Sequence, residues 1–113
     1  MLIQKQESKK HQNSESCSVW EYDFPSESLG LATSYIHGRY PEQDKVTNLE
    51  CEEMLYAVSG SGTIHSEKGD FVITPGDAYL IEKGEVYWLE GEDLSLLITT
   101  VPRWTPEQHK TVV

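Results

Sequence analysis

The sequence predicts an all-β domain, either a sandwich or a barrel, and two observations support this prediction. From residue 19 onward, short segments rich in Val, Ile, Leu and Tyr alternate with turn signals at intervals of about ten residues. No part of this region keeps apolar residues at helical spacing over several turns. With 113 residues, the chain is long enough for one domain with a modest core, but not for two.

The two ends of the chain differ from this region. Residues 1–18 are mostly Gln, Lys, Ser and Glu and offer little to bury, so we expect a flexible N-terminal arm. The barrel or sandwich then occupies residues 19–104. In the tail, residues 105–113, Thr105 is a good helix cap and Pro106 suits the first helical position, which predicts a short helix.

Eight strands are expected between the two ends, each bounded by Gly, Pro or acidic turn residues. They are Val19–Asp23, Leu31–His37, Glu53–Val58, Gly62–Ser66, Asp70–Thr74, Ala78–Glu82, Val86–Leu89 and Leu94–Val101. A tight hairpin turn is predicted at residues 67–70, because Gly69 can adopt the positive φ that such turns need.

Alternation along these strands predicts which side chains face inward. In the third strand Glu53 shares a face with Leu55 and Ala57, and Met54, Tyr56 and Val58 lie on the other. An inward Glu53 leaves its neighbour Glu52 pointing to solvent. In the seventh strand Tyr87 and Leu89 share a face, opposite Val86 and Trp88.

The charge balance restricts the partners. Nine basic residues against nineteen acidic ones give a formal net charge of −10. Such a surface repels phosphate backbones and anionic lipids, so we expect neither a nucleic-acid partner nor a membrane partner.

The cysteine content and the N-terminus predict a cytoplasmic protein. Cys17 and Cys51 are the only cysteines, without the spacing of a zinc site or of a disulfide framework. No apolar stretch reaches membrane-spanning length, and the first residues lack the apolar run of a signal peptide. We therefore expect two free thiols in a reducing compartment.

Several motifs resemble those of the cupins, which implies a jelly-roll β-barrel. In EMLYAVSGSG, Glu53 is followed by six residues and then Gly60, which matches the second half of the first cupin motif. In GDAYLIEKG, the spacing from Gly76 to Gly84 matches the second motif, although its Pro is replaced by Glu82. The segments GRYPEQ, YAVSGSGTI, GDAYLIEKGEVYW and VPRWTPEQH are similar to those of small single-domain bacterial cupins with a conserved barrel.

The resemblance also implies a metal site, from which this sequence departs. Cupins commonly hold Fe, Mn, Ni or Zn with three His and one Glu, and only the Glu, Glu53, is retained here. The two His positions of the first motif fall on Thr47 and Leu49, or on Val46 and Asn48 with the longer spacing. The third falls on Tyr87, and residues 38–64 contain no His. A single carboxylate with neutral neighbours does not bind a transition metal tightly, so we expect no metal cofactor.

The predicted pocket therefore contains an acid and phenols. Its candidate ligand-binding residues are Glu53, Tyr87, Tyr79, Tyr35 and His37. A buried Glu53 without a charged partner should have a raised pKa because of desolvation. Tyr87, at the vacated ligand position, is a candidate donor to Glu53 or to a ligand, or simply fills the space.

Two classes of function remain open. The first is a barrel that binds a small organic molecule without a metal. The alternative is a cupin enzyme, either metal-dependent with displaced ligands or a metal-independent isomerase or epimerase. The metal-independent case needs Tyr87 or Tyr79 within hydrogen-bond reach of His37 or His65. The resemblance further implies a homodimer.

Overall fold

The computed structural model describes all 113 residues as nine antiparallel strands and two one-turn 3-10 helices. The 3-10 helices are Lys5–Glu7 and Pro106–Gln108. The strands are β1 (Lys9–Ser14), β2 (Cys17–Tyr22), β3 (Gly30–Tyr40), β4 (Lys45–Asn48), β5 (Glu52–Ser66), β6 (Gly69–Ile73), β7 (Ala78–Ile81), β8 (Val86–Val101) and β9 (His109–Val112). The all-β prediction is confirmed. No helix is long and apolar enough to cross a membrane.

The long strand β8 organises the curled sheet. It pairs with β3 and β4 along one side and with β5 along the other, and β5 in turn pairs with β6 and β7. β1 and β2 extend the sheet beyond β3, and β9 extends it beyond β4. Curling brings the inward faces of these strands around one interior.

Alternation in β5 and β8 follows the prediction. Glu53, Leu55 and Ala57 are buried, while Met54 and Tyr56 are exposed. Tyr87 and Leu89 are likewise buried in β8, and Glu52 is exposed. One inward face thus carries an acid and a phenol among aliphatic side chains.

The N-terminal segment differs from the expected flexible arm. Residues 9–14 form β1, which pairs with β2 from Lys9 opposite Glu21 to Ser14 opposite Cys17. Composition underestimates such a strand, because an edge strand is held by backbone hydrogen bonds and needs few apolar side chains.

Two further strands were not predicted. β4 and β9 are short and polar, so they lack the apolar alternation that marks a strand in sequence. The short helix expected in the tail is the 3-10 turn Pro106–Gln108, and the chain continues from it into β9. Conversely, two pairs of predicted strands merge. The predicted strands 53–58 and 62–66 are parts of β5, and 86–89 and 94–101 are parts of β8.

Candidate functional site

A cavity of about 140 Å³ lies inside the curled sheet. Its apolar wall comes from β2, β3 and β8. Its polar groups come from six strands and from the segments that follow β2 and β8. They include Glu21, Asp23, Ser34, Tyr40, Glu53, Tyr87, Thr100, Arg103, Trp104 and His109.

Glu53 is the acid of the cavity. Glu53 is 9 % exposed and lines the cavity. Burial raises the pKa of its carboxyl from 4.5 to about 7, and the neighbouring side chains of Tyr87 and Asn48 offset only part of that rise. Near neutral pH, Glu53 therefore exists in both protonation states.

Tyr87 lies beside Glu53 and stays protonated. It is 3 % exposed, and its pKa is raised well above 10, first by burial and then by the negative charge of Glu53. A phenol with so high a pKa acts as a hydrogen-bond donor rather than as an anion.

Tyr40 and His109 form a second pair in the same cavity. The Tyr40 hydroxyl lies 3.3 Å from Nε2 of His109. Burial, and then the proximity of Cys17 and Glu53, raise the pKa of Tyr40 to about 12, while burial lowers the pKa of His109. Near neutral pH this pair is an uncharged phenol beside an uncharged imidazole.

Asn48 connects the two pairs. It is fully buried at the end of β4, and its Oδ1 lies 2.8 Å from Nδ1 of His109. The same oxygen accepts hydrogen bonds from Nε2 of Gln108 at 3.1 Å and from Nε1 of Trp104 at 3.3 Å. Asn48 also lies near Glu53 and Tyr87, because it affects the pKa of both side chains. Nδ2 has no partner at full hydrogen-bond geometry.

The C-terminal segment closes the cavity at Trp104. The Trp104 backbone N–H donates to Oγ1 of Thr100 at 3.1 Å, and its ring lies 5.6 Å from that of His109. Together with the bond to Asn48, these contacts hold the indole in the cavity wall.

One hydroxyl in the wall has no partner. Oγ of Ser34 is buried without a hydrogen bond, and Ser34 lines the cavity. A buried hydroxyl without a partner carries a desolvation cost.

The only Lys or Arg side chain in the cavity lining, Arg103, is already engaged. Its guanidinium forms an ion pair with Asp23 and donates to the carbonyl oxygen of Phe24 at 2.9 Å. Glu21 and Asp23 also line the cavity, so its charged groups are mainly acidic.

Of the five residues predicted to line a ligand pocket, Glu53 and Tyr87 line this cavity and the other three do not. Tyr79 is half-buried elsewhere, where its hydroxyl donates to Oε2 of Glu85 at 2.5 Å and its ring packs on Phe71. The hydrogen bond to Glu85 uses the hydroxyl that was expected to reach a ligand.

Tyr35 and His37 lie on the outer face of β3. Ser34 and Ile36 are the buried residues there, so strand alternation turns both neighbours outward. The Tyr35 hydroxyl donates to Asp93, and Nδ1 of His37 lies 3.3 Å from the same carboxylate.

The expected pairing of a tyrosine with His37 or His65 is not formed. His65 alternates with the buried Ile64, faces outward, and stacks on Trp88 with ring centroids 3.8 Å apart. Its ring nitrogens contact Asp70 and Glu90 at 2.8 Å each. The pair of Tyr87 or Tyr79 with His37 or His65, which the metal-independent enzyme alternative required, is therefore absent from the structure.

Sequence reasoning missed Tyr40, Asn48 and His109. Motif spacing did place Asn48 at one possible metal-ligand position, but nothing indicated what it contacts. His109 was assigned to a tail outside the barrel, because the pairing of β9 with β4 has no local signal.

The donor set does not fit the metal that cupin motifs commonly hold. No group of three or more His, Cys, Asp or Glu side chains lies close enough to hold an ion. His109 has one ring nitrogen on Asn48, and Glu53 is surrounded by a phenol and an amide. A neutral phenol and an amide are weaker ligands for Fe, Ni or Zn than the imidazoles that a cupin motif supplies.

No protein-family model matches this chain, and no curated protein matches it significantly. The fold is similar to that of Streptomyces Pac13 with uridine, with a TM-score of 0.90 and 13% identity over 99% of this chain and 89% of that one. Pac13 is a nucleoside dehydratase. The ectoine synthase of P. lautus gives a TM-score of 0.78 at 16% identity, covering 100% of this chain and 90% of its own. These similarities show that the chain has the cupin fold, a small jelly-roll barrel.

Proposed function

We propose that this chain is an enzyme that binds a small uncharged molecule in the cavity and catalyses a proton transfer on it without a metal ion. Isomerisation and elimination of water are reactions of this class, in which one atom of the substrate loses a proton and another gains one. The observation that carries the proposal is Glu53, a carboxyl with a pKa of about 7 that lines a cavity beside Tyr87.

A carboxyl with this pKa suits both directions of proton transfer. General acid–base catalysis is most efficient when the pKa of the catalytic group lies near the operating pH. Tyr87, which stays protonated, can donate a hydrogen bond to an oxygen on which negative charge develops.

The charges around the cavity favour an uncharged ligand. A phosphate or carboxylate would meet Glu21, Asp23 and Glu53, while Arg103 is already paired with Asp23. The hydroxyls of Tyr40 and Tyr87 in the cavity lining favour a ligand that carries its own hydroxyl or carbonyl groups.

Similar structures support this class without identifying the substrate. Pac13, a nucleoside dehydratase, has a similar fold. A structure of Pac13 contains uridine, which is an uncharged molecule with several hydroxyl groups. Uridine is therefore a reasonable first probe. The metal-free small-molecule barrel predicted from the sequence is the binding step of this proposal, and cytoplasmic localisation stays a prediction.

The test incubates the protein in D₂O with a panel of uncharged hydroxyl compounds that includes uridine, and NMR detects deuterium exchange. The phosphate esters of these compounds serve as anionic counterparts. We expect exchange or product formation with an uncharged compound. Glu53→Gln should reduce it by about 100-fold or more, because the proton-transfer group is removed.

The matched control is Glu52→Gln, which removes the same charge from the exposed neighbour. A compound that binds without exchange would reduce the function to binding alone. Equal loss in the two variants would contradict the role of Glu53.

A further inference from the structure

We infer that Asn48 holds His109 in the tautomer protonated at Nδ1, so that Nε2 accepts the hydrogen of Tyr40 and the Tyr40 oxygen becomes a hydrogen-bond acceptor for the ligand. This inference rests on the proposed function for its consequence at the ligand, but not for the tautomer. It assigns roles to two cavity residues and to the buried Asn48 beside them, and it predicts where a ligand hydroxyl donates its hydrogen.

The first step is the orientation of Gln108. Its Oε1 lies 3.1 Å from the backbone nitrogen of Glu50 and 3.4 Å from that of Cys51. Both nitrogens carry hydrogens and can only donate, so the atom facing them is the oxygen. Nε2 of Gln108 is then the donor that points at Asn48.

The second step is the orientation of Asn48. The indole N–H of Trp104 is a donor only, and it points at the same Asn48 atom as Nε2 of Gln108. Two donors directed at one atom require that atom to be the amide oxygen. A flipped Asn48 would place its NH₂ against both of them and cost two buried hydrogen bonds.

The third step follows for His109. Its Nδ1 lies 2.8 Å from that oxygen, which has no hydrogen to give, so Nδ1 carries the hydrogen. In the neutral ring Nε2 then bears the lone pair. The Tyr40 hydroxyl, 3.3 Å away, can bond to it only as the donor.

The consequence concerns the direction of the hydrogen bond at the ligand. With its hydrogen committed to His109, Tyr40 presents an oxygen lone pair to the cavity. In the other tautomer, Nε2–H would donate to Tyr40, and the phenol would point its hydrogen at the ligand. The cavity then pairs a donor, Tyr87, with an acceptor, Tyr40, and selects a ligand with matching groups.

His109 and Asn48 are therefore positioning residues, whereas Tyr40 touches the ligand. Asn48 is also a neighbour of Glu53 and Tyr87, so one buried amide lies between the two pairs.

The tautomer is measured directly by ¹⁵N NMR of the ¹⁵N-histidine-labelled protein, with His109→Gln used to assign the His109 signals. We expect a protonated-type shift at Nδ1 and an unprotonated-type shift at Nε2 near neutral pH. The opposite pattern, or a ring protonated at both nitrogens, would overturn the inference.

Tyr40→Phe shows whether Asn48 or Tyr40 sets the tautomer of His109, because it removes only the Tyr40 hydroxyl. The tautomer should persist in this variant, since Asn48 sets it, and a switch to Nε2–H would show that Tyr40 had set it. Asn48→Ala, if folded, should give a mixture of tautomers. The wild type and Tyr40→Phe decide the matter if it does not fold.

In the exchange assay, Tyr40→Phe should raise KM by roughly five- to tenfold, the value of one hydrogen bond to an uncharged group. An unchanged KM would contradict the acceptor role. If no compound in the panel exchanges, the proposed function fails while the tautomer is still decided by NMR, so the two failures are distinguishable.

Discussion

At the scale of single residues, Glu53 links stability to pH. Its pKa is about 7 in the folded chain and 4.5 in the unfolded reference, so between these values the folded state binds more protons. The free energy of unfolding therefore contains a contribution that is present at acidic pH and is lost as pH rises through about 7. A buried carboxyl whose ionisation lowers the stability of the folded chain is typical of a functional site.

We predict that Glu53→Gln removes this dependence. Relative to the variant, the wild type should lose about 3 kcal/mol of unfolding free energy as the pH rises from 4.5 to 8, since each pKa unit corresponds to about 1.4 kcal/mol. Chemical denaturation at several pH values measures the difference.

The pH dependence that His109 contributes to the free energy of unfolding has the opposite sign. His109 is present in both wild type and Glu53→Gln, so its contribution cancels in the difference between them. Because its pKa is lowered in the folded chain, its contribution is lost as pH falls below its ordinary value. The control Glu52→Gln should leave the pH profile close to that of the wild type. A flat difference between wild type and Glu53→Gln would contradict the burial of an ionisable group.

At the scale of strands, β5 and β8 depend on a close approach at Gly60. The register of β5 against β8 shifts around Ser59, and Gly60 has φ of 78°. A Cβ at Gly60 would lie 1.9 Å from the carbonyl oxygen of Asp93, which belongs to the backbone and cannot move independently. The irregularity lets two long strands bend around the cavity.

We predict that Gly60→Ala costs at least about 2 kcal/mol more than Gly76→Ala. Both positions have positive φ, but a Cβ at Gly76 meets no atom within 4 Å. Gly76→Ala thus reports the backbone penalty alone, about 1–2 kcal/mol. Thermal or urea unfolding of the two variants gives the comparison, and equal losses would show that the contact with Asp93 relaxes at little cost.

The pairing of β9 with β4 is the other decisive feature at this scale. Asn48 lies opposite His109 in this pair, which brings residues 61 positions apart within hydrogen-bond distance. The tail is thereby part of the cavity wall.

At the scale of the whole molecule, one outer face is apolar. It lies on β5, β7 and β8, where the side chains stand outward between the buried residues. Its exposed members are Met54, Tyr56, Val58, Leu80, Leu97 and Val101. None of these six is charged, and Glu52, opposite Val101, lies at the end of the face. In a chain with a net charge of −10, the middle of this face is where two copies would repel each other least.

A homodimer through this face is therefore our prediction. Native mass spectrometry should give twice the chain mass, and Leu97→Glu should shift the protein to the monomer by placing like charges at the contact. Leu2→Glu adds the same charge at an exposed residue near the N-terminus and should leave the mass unchanged. A monomeric wild type would contradict the prediction.

Elemental analysis of the same sample tests the prediction that the cavity holds no metal. A transition metal near one equivalent per chain would contradict that prediction.

Local patterns in the sequence account for much of this molecule. Alternation in residues 53–58 and 86–89 predicted that Glu53 and Tyr87 point inward, because the side-chain period of a strand depends only on the backbone of that strand. Turn residues and motif spacing predicted the barrel. The raised pKa of Glu53 followed from an inward carboxyl without a charged partner.

The remaining features depend on pairings between distant segments. Tyr40, Asn48 and His109 meet because β9 adds to β4, and polar strands of four residues carry no periodic signal that announces their partner. Tyr79 satisfies its hydroxyl on Glu85 instead of in the cavity, which also depends on a contact made only after folding. Which way an inward side chain points is a property of one strand, whereas which groups it meets is a property of the closed sheet.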